Sequence, residues 1–439
     1  MDKGAKIAVV GGGVEGRSVL EYLLKHGYKD LTLLDESEGF KNPYKGVKTV
    51  FGPAYLNGVE NFDVVFRSPG ITLGKVANAK FVTSSTKFFF EKCPCPIIGV
   101  SGTKGKGTCA TLIKEMLGEK THIGGNIGLP PLEFLDDLNE KSTVVLELSS
   151  FQLQDLAKSP HIAVLLNVTS DHLDYHADTF EYQEAKRSLL KYQTEKDFAI
   201  LNRDHIYFDI YAGSTDGKLS QVSSKAKVYD GVYVEDGKIY HAKGGEAEKL
   251  MYVHEIGLVG PHNIENVLPA IAVGALMGVN NNKIADAVRN FKGLPHRIEF
   301  IRQLKNVRYY NDSCSTTPDT SIAGVYSFDE PLILIAGGSE KGADFTEWGQ
   351  KLCTKENLQT VILIGETAEK LEEALVNACG DNPLKIVRRK DLEEATVEAY
   401  ALAEPGSVVL LSPGCASFDM FKDYKERGEA FKSAVEGLH

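Results

Sequence analysis

Short apolar runs recur along the chain, most followed by a glycine-bearing turn and then by a stretch of helix-forming composition. The first, Lys6-Ile-Ala-Val-Val10, leads into Gly11-Gly-Gly-Val-Glu-Gly16 and a helical stretch from Arg17 to Lys25. A second strand, Leu31 to Leu34, ends at Asp35, and a third, Val64-Val-Phe66, runs into Ser68-Pro69-Gly70. Further runs fall at Ile97 to Val100, Thr143 to Leu146, Ile162 to Leu166 and Phe198 to Leu201. Others follow at Arg308 to Tyr310, Leu332 to Ile335, Val361 to Ile364 and Val408 to Leu411. Most are continuous rather than alternating, which predicts strands covered on both faces in mostly parallel sheets. Residues 204–255 break the pattern with denser glycine, charge and short alternating strands, as expected of an antiparallel elaboration.

Two points punctuate this series. Glu91 to Pro96 carries two prolines, and Gly293-Leu-Pro-His-Arg297 is a second break. A chain of 439 residues is too long for one ordinary core. The expected fold is therefore α/β with three domains. Residues 1–93 form a Rossmann-like domain, 94–296 a doubly wound phosphate-loop domain, and 297–439 a second Rossmann-like domain.

Composition narrows the partners. A net charge of −11 argues against nucleic acid or a membrane surface as the main partner, but not against small anions met by local cations. The chain begins almost directly with a strand, and no stretch approaches the roughly 18 apolar residues of a membrane helix. The seven cysteines are scattered and odd in number, which does not suggest a disulfide framework. Cys93 and Cys95 have no second pair at zinc-ligand spacing. A cytoplasmic monomer acting on small molecules is expected.

The chemistry concentrates at strand ends. Ile97 to Val100 runs into Gly102-Thr103-Lys104-Gly105-Lys106-Gly107-Thr108, with a helical segment from Thr108 to Leu117. Strand, glycine-rich loop and helix make a phosphate cradle, in which backbone N–H groups turn toward an anion and Lys106 reaches the outer phosphates of ATP. Gly107 stands where a hydroxyl residue normally helps hold Mg²⁺, so Thr108 or a distant residue must take over. Glu147 ends an apolar strand, where a carboxylate suits Mg²⁺. Asp171, His172 and Asp174 cluster after another strand, beside that metal site. The loop Gly11 to Gly16 with Asp35 is a dinucleotide-type pattern and by itself weak support for NAD. Asn263 and Asn266 lie one helical turn apart. Asp312, Lys341 and Ser417 each sit in a turn that follows a strand. Lys186 lies in a helical run from Phe180 to Tyr192, where by itself it reads as a solvated face residue.

Together Gly102 to Lys106, Glu147, Asp171-His172, Gly260-Pro-His-Asn263 and Pro295-His-Arg297 resemble the ATP-dependent Mur ligases and their folylpolyglutamate synthase relatives. Leu146 to Leu153, Leu166 to Asp174 and Leu411 to Asp419, continuing to Arg427-Gly428, resemble the D-glutamate-adding branch. The resemblance covers all three domains in order. It implies that ATP phosphorylates the alanyl carboxylate of UDP-MurNAc-L-Ala and that the amine of D-glutamate then displaces phosphate, in peptidoglycan precursor synthesis. Glu147 and His172 would be ligands of Mg²⁺, as two ions, with Lys186 carbamylated as a further ligand. Asn263, Asn266, Arg297 and Asp312 would hold adenine, ribose and phosphates. Val14, Glu15, Asp35 and Ser68 would line the uridine diphosphate site, so the dinucleotide-like turn needs no NAD. Asn126, Ser149 and His172 would meet the alanyl end, and Thr316, Lys341, Ser417 and Tyr424 the D-glutamate.

Three departures stand out. Gly107 is one, and it is shared with folylpolyglutamate synthases. Cys314 replaces a typical lysine, Thr317 stands where asparagine is frequent, and Tyr424 replaces a common phenylalanine. An amide-forming ligase with another acceptor remains the alternative. Folylpolyglutamate synthases, however, lack a first nucleotide domain of this kind. A non-catalytic scaffold would have no need of Lys106, Glu147, His172 and Lys186 together.

Overall fold

A computed structural model describes residues 1–39, 43–169, 175–260, 262–380 and 384–439. Asp171, His172 and Asp174 thus lie outside the described residues. The chain forms two compact units, one of Met1–Glu255 with Ile264–Val288, the other of Ile256–Asn263 with Arg289–His439.

The first unit holds two sheets. Strands β1 (Ile7–Val10), β2 (Leu31–Asp35), β3 (Lys48–Phe51), β4 (Val64–Arg67) and β5 (Val82–Thr83) form a parallel sheet in the order β3-β2-β1-β4-β5. Helix α1 (Val14–Lys25) follows β1, and α2 (Ser85–Lys92) follows β5. The strand order reverses beside β1, so Gly11 and Ser68 stand together at strand carboxyl ends, where such sheets bind ligands. All four residues of β1 are buried, as the unbroken apolar run predicts.

The second sheet starts with β6 (Ile97–Ser101), followed by α3 (Lys106–Leu117), β7 (Thr121–Gly125), β8 (Thr143–Glu147), α4 (Ser150–Leu153) and β9 (Ile162–Leu165). Then come α5 (Thr179–Lys191), β10 (Phe198–Asn202), α6 (Phe208–Ala212), β11 (Lys218–Ser223), β12 (Gly231–Glu235), β13 (Lys238–Lys243) and β14 (Glu246–Tyr252). Its order is β14-β13-β12-β11-β10-β9-β6-β8-β7, antiparallel only where β13 meets β12 and β14. One hydrophobic cluster joins both sheets. Within it Phe66 meets Phe88 edge-on at 5.6 Å between ring centres, and Phe89 meets Phe134 at 5.7 Å.

Helices α7 (His262–Leu276) and α8 (Asn281–Asn290) lead to β15 (Glu299–Leu304) and β16 (Val307–Asn311). The chain continues through α9 (Pro318–Val325), β17 (Leu332–Gly337), α10 (Thr346–Cys353), β18 (Leu358–Ile364), α11 (Ala368–Cys379) and β19 (Lys385–Arg388). It ends with α12 (Leu392–Leu402), β20 (Val408–Leu411) and α13 (Tyr424–Glu436). This third sheet runs β15-β16-β20-β17-β18-β19 and is parallel apart from β15. Apolar clusters cover its two faces, one around Trp348 and one around Phe431.

Cysteine pairing departs from the expectation of no disulfide. Cys353 and Cys379, at the ends of α10 and α11, are bonded, with Cα atoms 5.3 Å apart. Their 26-residue separation gives no sign of this, because the pairing depends on how the two helices pack. Among the described residues no helix is long and apolar enough to cross a membrane.

Candidate active site

Helix α3 begins at Lys106, two residues earlier than composition suggests, because the glycine-rich loop feeds directly into its first turn. Its N-cap, Gly105, contributes no side-chain cap, and Gly13 before α1 contributes none either. By contrast, Ser84, Ser149, Asp178, Asp391 and Asp423 cap their helices with side chains. The first N–H groups of α1 and α3 are therefore not taken by a cap side chain, the arrangement an anion uses. Gly105 has φ +81°, and a Cβ there would lie 1.8 Å from Asn266 Oδ1 of α7, so any larger residue strains the backbone and displaces the Asn266 side chain.

Two lysines converge on one carbonyl of this loop. Lys106 Nζ donates to Gly102 O at 3.1 Å and Thr103 O at 3.0 Å, while Lys186 Nζ, from α5, donates to the same Gly102 O at 2.8 Å. Lys186 is 1% exposed and lies 4.7 Å from the Tyr182 ring centre. It is therefore not the solvated residue that its place in a helical run suggests. Thr103 is also fixed, its hydroxyl meeting Tyr182 Oη at 3.0 Å and accepting from Thr169 N at 2.9 Å. Lys104 is exposed, whereas Gly107 and Thr108 are buried in the first turns of α3.

Glu147 ends β8, the strand beside β6, and is only 4% exposed. Its Oε1 accepts from Asn126 Nδ2 at 2.9 Å, and Asn126 N donates to Glu147 O at 2.9 Å. A buried carboxylate partnered by a neutral amide suits a divalent cation, and the Thr108 hydroxyl adds oxygen chemistry of the right hardness. Ser149 caps α4 in a box with Gln152, whose Nε2 donates to Glu15 Oε1 at 2.7 Å. Burial is the leading cause that raises the Glu15 carboxyl above its usual range, with Gln152 and Arg67 opposing it.

At the first sheet, Asp35 accepts from Gly12 N at 2.6 Å and Ser37 N at 2.8 Å, and Ser68 Oγ donates to Gly11 O at 3.2 Å. Gly16 must be glycine, since a Cβ would sit 1.9 Å from Gly11 O. Val14 is exposed beside this turn. Sequence reasoning missed Arg67, a fully buried cation at the end of β4 that reaches Asp155. A charge closing the apolar run Val64-Val-Phe66 was the available signal.

The second unit gathers another set. Asp312 is buried and accepts from Ser315 Oγ at 2.5 Å, Ser412 Oγ at 2.7 Å and Ile298 N at 3.2 Å. Burial pushes its carboxyl up to about 6, against those hydrogen bonds and Arg297. A cavity of about 240 Å³ is lined by Val259, Asn263, Lys292, Arg297, Phe300 and Tyr310, among others. Asn263 Nδ2 donates to Val259 O at 2.7 Å, and Arg297 Nη2 lies 3.7 Å from Cys314 Sγ. The Cys314 sulfur thus stands beside a guanidinium. Thr316 is half-buried, Ser417 buried, and Lys341 exposed with its ammonium 4.6 Å from the Phe418 ring centre. Tyr424 opens α13 and its backbone O accepts from Ser313 Oγ at 2.7 Å. Arg427, fully buried, ties these loops together through Ser313 O, Cys415 O and Ala416 O at 2.9–3.2 Å.

The chain is similar to known proteins over nearly its whole length. The Mur ligase middle-domain model matches residues 100–274, and the Mur ligase glutamate ligase domain model matches residues 296–415. UDP-N-acetylmuramoylalanine–D-glutamate ligases of Acetivibrio thermocellus and Symbiobacterium thermophilum are each 37% identical. The alignments cover 99% of this chain and 97% and 98% of those proteins. Among solved structures, the MurF ligase of Thermotoga maritima in complex with ADP superposes with a TM-score of 0.60 at 17% identity. It covers 98% of this chain and 94% of its own. UDP-N-acetylmuramate-alanine ligase MurC of Thermotoga maritima gives 0.59 at 16% identity, over 98% and 99%. At such identities the structures speak for the fold, while the sequence matches reach further. The chain belongs to the Mur ligase family.

Proposed function

We propose that this protein adds D-glutamate to UDP-N-acetylmuramoyl-L-alanine at the expense of ATP, a step of peptidoglycan precursor synthesis. The carrying observation is the end-to-end similarity, at 35–37% identity, to ligases named for that product. The place of Lys106 at the start of α3, with its Nζ held at the Gly102 and Thr103 carbonyls of the glycine-rich loop, supports ATP use, since an ammonium there anticipates a polyanion.

In this reading residues 1–93 hold the uridine diphosphate, 94–296 the ATP and 297–439 the amino acid. Val14, Glu15, Asp35 and Ser68 meet the diphosphate and uridine, and Asn126 and Ser149 the alanyl end. Gly102 to Thr108 wrap the phosphates, while Asn263, Asn266, Arg297 and Asp312 meet the rest of the nucleotide. Thr316, Lys341, Ser417 and Tyr424 receive D-glutamate. Thr108, Glu147 and His172 would hold Mg²⁺, with Lys186 joining them if carbamylated, and the metal would supply Lewis-acid neutralisation of phosphate charge.

The chemistry then follows from positioning. A carboxylate oxygen of the alanyl group attacks the γ-phosphorus and ADP leaves, giving an acyl phosphate. Lys106 and the backbone N–H groups at the start of α3 neutralise charge that grows on the transferring group. The uncharged amine of D-glutamate attacks the acyl carbon, the adduct expels inorganic phosphate, and the amine proton passes to solvent. Incubation with ATP, Mg²⁺, UDP-MurNAc-L-Ala and D-glutamate should yield the D-glutamyl product by mass spectrometry. Formation of ADP without that product would reject the acceptor assignment.

A further inference from the structure

Arg67 is the largest buried charge of the first unit that the proposed reaction leaves unused. It ends β4, immediately before the turn Ser68 to Ile71, in which Ile71 N bonds to Ser68 O at 3.0 Å. Nη1 donates to Ile71 O at 2.7 Å and approaches Pro69 O at 3.3 Å and Tyr175 Oη at 3.2 Å. Nη2 donates to Phe151 O of α4 at 3.0 Å and to Asp155 Oδ1 at 3.0 Å, and Nε to Asp155 Oδ2 at 3.3 Å. The Asp155 side chain is 14% exposed and that of Arg67 is wholly buried.

All five guanidinium N–H groups therefore have acceptors, and besides Tyr175 these lie on two different pieces of chain. One is the Ser68 turn at the switch point of the first sheet; the other is α4 and the residues after it, attached to the second sheet. Glu15 makes a parallel link to Gln152 of the same helix. A planar five-donor fork can span such a set, whereas an ammonium, with three donors on one atom, cannot.

We infer that Arg67 is a positioning residue for the nucleotide-sugar substrate. Through α4 and Asp155 it fixes the Ser68 turn, and so holds the diphosphate end of the substrate in register with the phosphate loop. The inference rests on the function proposed above. It predicts a selective defect: a loosened Ser68 turn weakens capture of UDP-MurNAc-L-Ala, while the ATP and D-glutamate sites keep their own residues.

Steady-state kinetics of Arg67→Lys and Asp155→Asn test this, with thermal melts of each variant and calorimetric titration of UDP alone. Both variants should raise the KM for UDP-MurNAc-L-Ala, and the Kd of UDP, at least about tenfold, as misplacement of a substrate-orienting loop does. The KM values for ATP and D-glutamate should stay within about twofold. A folded variant with unchanged UDP affinity and unchanged KM for the UDP substrate would overturn the inference. So would an equal loss of affinity for all three substrates, which is the signature of a merely structural role. Wild-type protein that binds UDP yet makes no D-glutamyl product would instead reject the proposed function, and the UDP titrations would still decide the role of Arg67.

Discussion

Lys106 and Lys186 share a carbonyl, and the proposed reaction gives them different duties that single substitutions separate. Lys106→Ala should lower kcat about a thousandfold, because one charge-stabilising group is lost from the transferring phosphate. A melt and a circular dichroism spectrum like the wild type's would show that the fold is retained. Lys186→Ala should nearly abolish turnover and regain part of it with acetate or formate, if a carbamate at Lys186 supplies a carboxylate. Wild-type-like rates in that variant would remove the carbamate from the mechanism. Asp312 gives a pH signature in stability. Its carboxyl titrates near 6 when folded and near 3.8 when free, so the folded state holds the proton more tightly. Its favourable contribution is complete below the lower value and disappears as pH rises through about 6. Chemical denaturation of the wild type relative to Asp312→Asn should therefore show the wild type losing ground, on the order of 1–3 kcal/mol, between about pH 4 and 7. A constant difference over that range would contradict the assignment.

At the scale of elements, legibility followed burial. Runs that became β6, β8, β17 and β20 were readable because both faces are covered and every position, or nearly every one, is apolar. β3, Lys48–Phe51, is mostly exposed, and β19 carries charged residues at both ends, so neither has a periodic signal to read. Helix starts were displaced for a related reason. Val14 and Lys106 follow glycine turns that read as loop, yet those turns are the first part of the helix motif. The glycines can be tested directly. Gly105→Ala should weaken ATP binding at least about tenfold, since its Cβ would displace the Asn266 side chain and strain the left-handed backbone. Unchanged nucleotide affinity by fluorescence titration would mean that the loop does not hold phosphate. Long-range partners were not legible at all. Neither the Arg67–Asp155 pair, 88 residues apart, nor the Cys353–Cys379 bond leaves a spacing pattern, because both are set by tertiary packing.

For the whole molecule, motifs at strand ends carried more than any single element. The loop from Gly11 to Gly16 alone fits a nicotinamide enzyme, and only its company with a phosphate loop and the later blocks points elsewhere. A thermal-shift comparison would express this. UDP at about a hundred times its Kd should stabilise the protein by roughly 2.7 kcal/mol, with no comparable effect from NAD⁺. The reverse order would return the first sheet to dinucleotide binding. Gly107 and Cys314 are the places where residue-level expectation and whole-chain similarity disagree. The structure gives Thr108 a buried place one residue after Gly107, and sets the Cys314 sulfur against Arg297. Phosphate release under ATP, Mg²⁺ and UDP-MurNAc-L-Ala, measured against D-glutamate, L-glutamate, L-alanine and L-lysine in turn, decides the matter most directly. Release with D-glutamate alone is the expected result. Release with another amino acid, or with none of the four, would contradict it.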